Sequence, residues 1–203
     1  MDKPVSPNAS STAAIVVAAG KGLRTGGAVP KQFVPWRGKP LVRHSIEALA
    51  AAGISPIVIA IPKGWDDVAA TAVAGIPGVR FVHGGSTRQQ SVRIALEALN
   101  ADAPGQVLIH DAARPMLPRE VIDGLLDALA TYAAATPVLS VVDSMVRGDA
   151  GLRAATVPRN ELYRVQTPQA FDFPSILSAH RAWQGEPDAG DDAQVAEASG
   201  LPV

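Results

Sequence analysis

Two cations, Arg24 and Lys31, close a stretch that begins Ala18-Ala19-Gly20-Lys21-Gly22-Leu23 and ends Pro30-Lys31-Gln32-Phe33. Small residues let backbone N–H groups approach a polyanion closely. Arg24 can neutralise phosphate as a planar fork, and Lys31 as a mobile point charge. The apolar run Ala14-Ile15-Val16-Val17 just before them reads as a buried strand. A strand, a small-residue turn and two cations predict a site for the phosphates of a nucleotide. Two common phosphate loops are excluded. Neither Gly20 nor Gly22 leads into the Gly-Lys-Ser/Thr ending of a Walker A loop. Thr25 stands where a dinucleotide fingerprint needs its third glycine.

A second group of reactive residues follows the run Val107-Leu108-Ile109: His110-Asp111-Ala112-Ala113-Arg114-Pro115. An Asp just past a strand's carboxyl end faces the same crevice as the glycine loop. Its carboxylate can hold a divalent cation or a substrate hydroxyl. Arg114 can hold the Asp or bind an anion. Arg159, Arg164 and Thr167-Pro168-Gln169 add polar groups. A Mg²⁺ ion carried in by nucleotide phosphates keeps waters and phosphate oxygens, so one Asp can suffice.

Other chemistries are poorly served. Gly84-Gly85-Ser86-Thr87-Arg88 fails the nucleophile-elbow pattern at its last position. His44, His83, His110 and His180 never pair at helical i, i+4 spacing, so zinc is unsupported. Asp191-Asp192 opens a helical pattern ending at Gly200, where such a pair ordinarily caps the helix.

The elements that must position these groups alternate. Apolar runs without alternation at 14–18, 57–61, 79–82 and 106–110 suit strands buried on both faces. Helical spacing marks 39–52, 86–99 and 119–132. This predicts a Rossmann-like, doubly wound α/β fold with a mostly parallel sheet. Ser86 with Gln89 reads as a capping box at the start of the 86–99 helix, directly after Gly84-Gly85. That helix N-terminus should lie at the ligand-binding end of the sheet.

From residue 137 the alternation stops. Val138–Val146 and Arg153–Val165 flank Gly148-Asp149-Ala150-Gly151 and predict a hairpin with its turn at 148–151. Such an arm, about 138–165, covers a site or a partner subunit.

The chain has 203 residues and a net charge of −1, enough for one large α/β domain. No basic stripe points to nucleic acid, and no apolar run reaches membrane-spanning length. There are no cysteines, which removes disulfides and thiolate metal sites. Residues 1–13 read as a disordered tail without the features of a signal peptide. A soluble cytoplasmic enzyme is the expectation.

Together AAGKGLR, PKQF, GGSTRQQS, HDAARP and RNELYRVQTPQAF closely resemble the 2-C-methyl-D-erythritol 4-phosphate (MEP) cytidylyltransferases of non-mevalonate isoprenoid biosynthesis. They fall in the family's order from about residue 14 to 198. The resemblance implies the nucleotide-diphospho-sugar transferase fold and a Mg²⁺-dependent reaction of CTP with MEP that releases pyrophosphate. It implies that Arg24 and Lys31 are catalytic and stabilise the pentacoordinate transition state. It implies that Ala18, Ala19, Gly20, Gly22, Gly85, Ser86 and Ser91 bind the nucleotide. Asp111, Arg114 and Thr167 match positions near the MEP hydroxyls, with Asp111 also at the metal. Ser144 and Arg159 match groups that reach the MEP phosphate across a homodimer with exchanged arms.

Three departures stand out. Ser86 lies where many members carry Asp, and Gly190 where many carry Thr. The chain stops at Leu201-Pro202-Val203, short of a family segment that supplies another Lys. The resemblance therefore implies a cytidylyltransferase domain over 14–203 that lacks its C-terminal part. The chain would be either a shortened enzyme or the front of a bifunctional protein fused to the pathway's cyclodiphosphate synthase. Ribitol-5-phosphate cytidylyltransferase is the nearest alternative, and a non-catalytic nucleotide-binding fragment is another.

Overall fold

Residues 11–20, 29–184 and 189–203 of the computed structural model are described below. Strand β1 (Thr12–Val17) is an apolar run whose residues Ala13 to Val16 are fully buried. Its first two residues, Thr12 and Ala13, fall inside the tail expected over 1–13, because Thr12 pairs with Gln106 and Ala13 with Val107. Two short strands follow, β2 (Pro35–Trp36) and β3 (Lys39–Pro40). Then come helix α1 (Leu41–Ala51), β4 (Ile57–Ile61), α2 (Asp66–Ala72) and β5 (Val79–His83). The chain continues through α3 (Arg88–Leu99), β6 (Gln106–Asp111) and α4 (Arg119–Leu129).

Strands β5, β4, β1 and β6 lie side by side in that order, all parallel. Two later strands extend the sheet: β7 (Ala134–Ala135) and β12 (Gln169–Asp172). Strand β12 lies antiparallel between β6 and β7. The sheet is thus mixed and mostly parallel, as expected. Alternate side chains of β1 serve opposite layers. Ala14 and Val16 pack with Val42, Ile46 and Leu49 of α1 and Ile122 of α4. Ala13 and Ile15 pack with Val92, Leu96 and Leu99 of α3 and with α5 (Phe173–Ala182) and α6 (Asp192–Ala198). The layers explain why β1, β4 and β6 read as unbroken apolar runs. The order of connection reverses between β1 and β6, which is where an open α/β sheet leaves a crevice.

The arm is a pair of ladders rather than one hairpin. Strand β8 (Val138–Ser140) runs antiparallel to β11 (Tyr163–Val165), and β9 (Met145–Asp149) to β10 (Leu152–Val157). The expected strand over 153–165 breaks after Val157. Pro158, which has no N–H to give a ladder, comes next. The turn lies where it was expected. Ala150 and Gly151 take φ of 46° and 81°, the left-handed pair of a two-residue hairpin turn. Apolar side chains recur along the arm, and Val138, Leu139, Val142, Met145, Leu152 and Tyr163 are all exposed in the single chain.

Candidate active site

A cavity of about 520 Å³ opens at the carboxyl ends of β1 and β6. Ala19, Gly20, Lys31, Gly85, Ser86, Ser91 and Asp111 line it together. Residues from four distant sequence segments therefore meet where the sequence reading put them. Ala18 contributes differently. Its side chain is buried, and its carbonyl accepts a hydrogen bond from Gln32 Nε2. The same amide nitrogen donates to the Gly20 carbonyl at 3.1 Å. Gln32 and Phe33 are buried while Lys31 is exposed. The Lys31–Phe33 turn is thus anchored from below and presents its lysine to the cavity. Gly22 and Arg24 lie outside the described residues.

The second wall is the start of α3. The capping residue is Thr87, one place later than expected, and its hydroxyl accepts from Gln90 N at 3.1 Å. Ser86 is left on the loop, where its N–H and hydroxyl both donate to Gln90 Oε1, at 2.7 and 2.9 Å. The Gly85 N–H donates to Ser91 Oγ at 3.1 Å. Here Gly84 is required by contact, whereas at Gly85 the neighbour is a flexible side chain. A Cβ on Gly84 would lie 2.2 Å from that of Ala19, and one on Gly85 2.5 Å from the Gln90 side chain. Among the described residues, a Cβ on Gly20 meets nothing within 4 Å.

Asp111 ends β6. Its Oδ1 accepts from Arg88 Nε at 3.0 Å, and its Oδ2 lies 3.7 Å from Arg114 Nε. Its backbone N–H donates to Thr167 Oγ1. Arg114 also donates to Gln166 Oε1. Behind Arg88 stands Asp192, whose side chain is 1% exposed. The Nη2 of Arg88 lies 2.8 Å from Asp192 Oδ2, an ion pair whose angles are not those of a linear hydrogen bond. His180 Nε2 donates to Asp192 Oδ1 at 3.2 Å. Burial would push the Asp192 carboxyl up, but the His180 hydrogen bond and the Arg88 charge prevail and hold it low. Burial would likewise lower the Arg88 pKa, and Asp192 and Asp111 outweigh it, raising the guanidinium further. The capping role expected of the acidic pair falls to Asp191 alone, which accepts from Gln194 N at 2.9 Å.

The exposed Ser144 and Arg159 do not join this group within one chain. Both are on the arm, and the Arg159 guanidinium donates to the Val142 carbonyl. No residue of the arm lines the cavity among the described residues. Arg88, Asp192 and His180 were not anticipated. Arg88 stood inside GGSTRQQS, but its partners come from β6 and from the start of α6, and no local spacing links them.

The model of the 2-C-methyl-D-erythritol 4-phosphate cytidylyltransferase (IspD) family matches residues 12–203. The chain belongs to this family. A bifunctional IspD/IspF enzyme of Novosphingobium aromaticivorans is 69% identical over 186 residues, 92% of this chain and 48% of that protein. A 2-C-methyl-D-erythritol 4-phosphate cytidylyltransferase of Cereibacter sphaeroides is 46% identical over 95% of this chain and 86% of its own length. The chain therefore spans about half the length of the bifunctional relatives it matches. The crystal structure of the IspD-type cytidylyltransferase of Thermus thermophilus superposes with a TM-score of 0.79 at 33% identity, covering 95% of this chain and 86% of that one. Among the described residues no helix is long and apolar enough to cross a membrane.

Proposed function

We propose that this chain transfers CMP from CTP to MEP, giving 4-diphosphocytidyl-2-C-methyl-D-erythritol and pyrophosphate in non-mevalonate isoprenoid precursor biosynthesis. The observation that carries this reading is one cavity gathering Gly20, Lys31, Ser86 and Asp111 in a chain of the IspD family. An oxygen of the MEP phosphate attacks the α-phosphorus of CTP in line. The bond to the β-phosphate breaks, and pyrophosphate leaves. The nucleophile is already anionic, so the protein's work is orientation and charge neutralisation. Lys31, and Arg24 with it, take the charge that builds on the phosphorane oxygens. Ala18–Gly20, Gly22, Gly85, Ser86 and Ser91 hold the nucleotide. Asp111, Arg114 and Thr167 receive the MEP hydroxyls.

Asp111 is also the residue that would hold Mg²⁺. The described residues contain no cluster of three or more His, Cys, Asp or Glu side chains that could cage an ion. One carboxylate on a cavity wall fits an ion that keeps waters and phosphate oxygens. When bound, such an ion neutralises phosphate charge. Ser144 and Arg159 are assigned to the MEP phosphate of a partner's site in a two-fold homodimer. The exposed apolar arm supports this assignment. The activity is placed in the cytoplasm, with no nucleic acid or membrane involved.

The test is pyrophosphate release from CTP and Mg²⁺ with MEP or ribitol 5-phosphate as acceptor. MEP is the expected substrate. Clear preference for ribitol 5-phosphate, or CTP binding without turnover, overturns the reading.

A further inference from the structure

A charge chain extends behind Asp111, beyond the groups to which the reaction assigns a role. It runs inward from the cavity through Asp111, Arg88, Asp192 and His180. Arg88 occupies the first turn of α3, where the helix macrodipole disfavours a cation. Two carboxylates offset that cost, Asp111 at Nε and Asp192 at Nη2. Asp192 is fixed in turn. Its side chain accepts from buried His180, and its backbone N–H donates to Gln169 Oε1 at 2.9 Å. Gln169 begins β12, the strand paired with β6. The floor under Arg88 is thus tied to the same strand pair that carries Asp111.

The two contacts to Asp111 are unequal. Arg88 Nε lies 3.0 Å from Oδ1, whereas Arg114 Nε lies 3.7 Å from Oδ2. Arg88 is the better buried of the two, with 22% of its side chain exposed against 41%. Its planar fork reaches both carboxylates at once, a geometry that a lysine's point charge does not reproduce.

We infer that Arg88 is a positioning residue: it fixes the Asp111 carboxylate toward the substrate side of the cavity, and buried Asp192 fixes Arg88. The inference rests on the assignment of Asp111 above and adds the means by which its carboxylate is aimed. Asp192 does not line the cavity, so its effect on turnover must pass through Arg88.

The test is a double-mutant cycle on the full chain with CTP, Mg²⁺ and MEP. Asp192→Asn keeps the shape and removes the charge that holds Arg88. A small misplacement of a reacting group can cost up to about 10²-fold. Asp192→Asn should lower kcat at least about tenfold while the KM for CTP stays within about twofold. In an Asp111→Asn background the same change should cost less than about twofold, because its target is already gone. Arg88→Lys should behave like Asp192→Asn in the cycle while retaining most of the thermal stability. It serves as the second arm if Asp192→Asn does not fold. Losses that multiply in the double variants, or full turnover in Asp192→Asn or Arg88→Lys, would overturn the inference. An unmutated protein that turns over no MEP would instead refute the functional reading itself.

Discussion

The hydroxyl of Thr167 stands 3.2 Å from the backbone nitrogen of Asp111 and accepts its hydrogen bond across 56 residues of sequence. The hydroxyl proton then faces His110 Nδ1, 3.1 Å away, and His110 Nε2 donates to the Arg114 carbonyl at 2.9 Å. These partners assign the neutral Nε2–H tautomer. One buried ring thereby links the strand end, the following turn and the segment that enters β12.

This arrangement makes stability depend on pH. Burial lowers the His110 pKa from its usual value near 6.5. The unfolded chain then binds the proton more readily than the folded one, so stability falls as pH falls. The His110 contribution should be complete above about pH 6.5 and decline as pH drops through that value toward the lowered folded pKa. Thermal midpoints between pH 8 and 5 would check this. The difference between the parent and His110→Gln should narrow as pH falls; a constant or widening difference refutes it.

The glycine turn before α3 gives a steric prediction. Gly84→Ala would set its methyl 2.2 Å from Ala19 Cβ and 2.8 Å from Ser91 Oγ. Overpacking of this kind costs about 1–3 kcal/mol. The melting temperature should fall and the KM for CTP should rise, because both neighbours belong to the cavity wall. Gly20→Ala, whose methyl meets nothing within 4 Å among the described residues, should leave the melting temperature unchanged. Equal melting temperatures for the two variants would contradict the steric account.

Lys31 should act on the transition state more than on bound CTP. Removing one such electrostatic partner costs about 2.7–4 kcal/mol, or 10²–10³ in turnover. Steady-state kinetics of Lys31→Ala, and of Arg24→Ala, should show that loss in kcat with little change in the KM for CTP. A variant with normal kcat and weakened CTP binding would make its cation a simple phosphate anchor.

Strands β1, β4 and β6 were legible because each centres on an apolar run, and β4 falls at 57–61 as read; β5, expected to be buried on both faces at 79–82, is instead a half-buried edge strand with exposed Arg80. The residues lining the cavity were legible because Gly20, Gly85 and Asp111 each lie at or within three residues of the end of a strand. Strands β7 and β12 were not anticipated. They have two and four residues, too few to show a period. The shift of the cap from Ser86 to Thr87 was also hidden, since Ser86-Gln89 and Thr87-Gln90 fit the same pattern. Asp192 read as a capping residue because a buried carboxylate declares itself only through partners, and His180 and Arg88 come from α5 and α3.

The arm assignment predicts rescue between two inactive proteins. Lys31→Ala and Arg159→Ala subunits should each be nearly inactive alone. If Arg159 serves the partner's site, a mixed dimer has one site with both defects and one with neither. Random exchange makes about half the dimers mixed, so roughly a quarter of the unmutated activity should return. No recovery, with exchange verified by native mass spectrometry, would confine Arg159 to its own subunit or remove it from the site.

The central claim is that the MEP phosphate attacks the α-phosphorus of CTP in the cavity of Gly20, Lys31 and Asp111. It is tested most directly with MEP labelled by ¹⁸O at the non-ester oxygens of its phosphate. The protein is incubated with this substrate, CTP and Mg²⁺, and the products are followed by ³¹P NMR and mass spectrometry. All label should appear in the cytidine diphosphate alcohol, with part of it at the oxygen bridging the two phosphorus atoms, and the pyrophosphate should carry none. Label in the pyrophosphate, or CTP consumed without a cytidine diphosphate alcohol, would contradict the account.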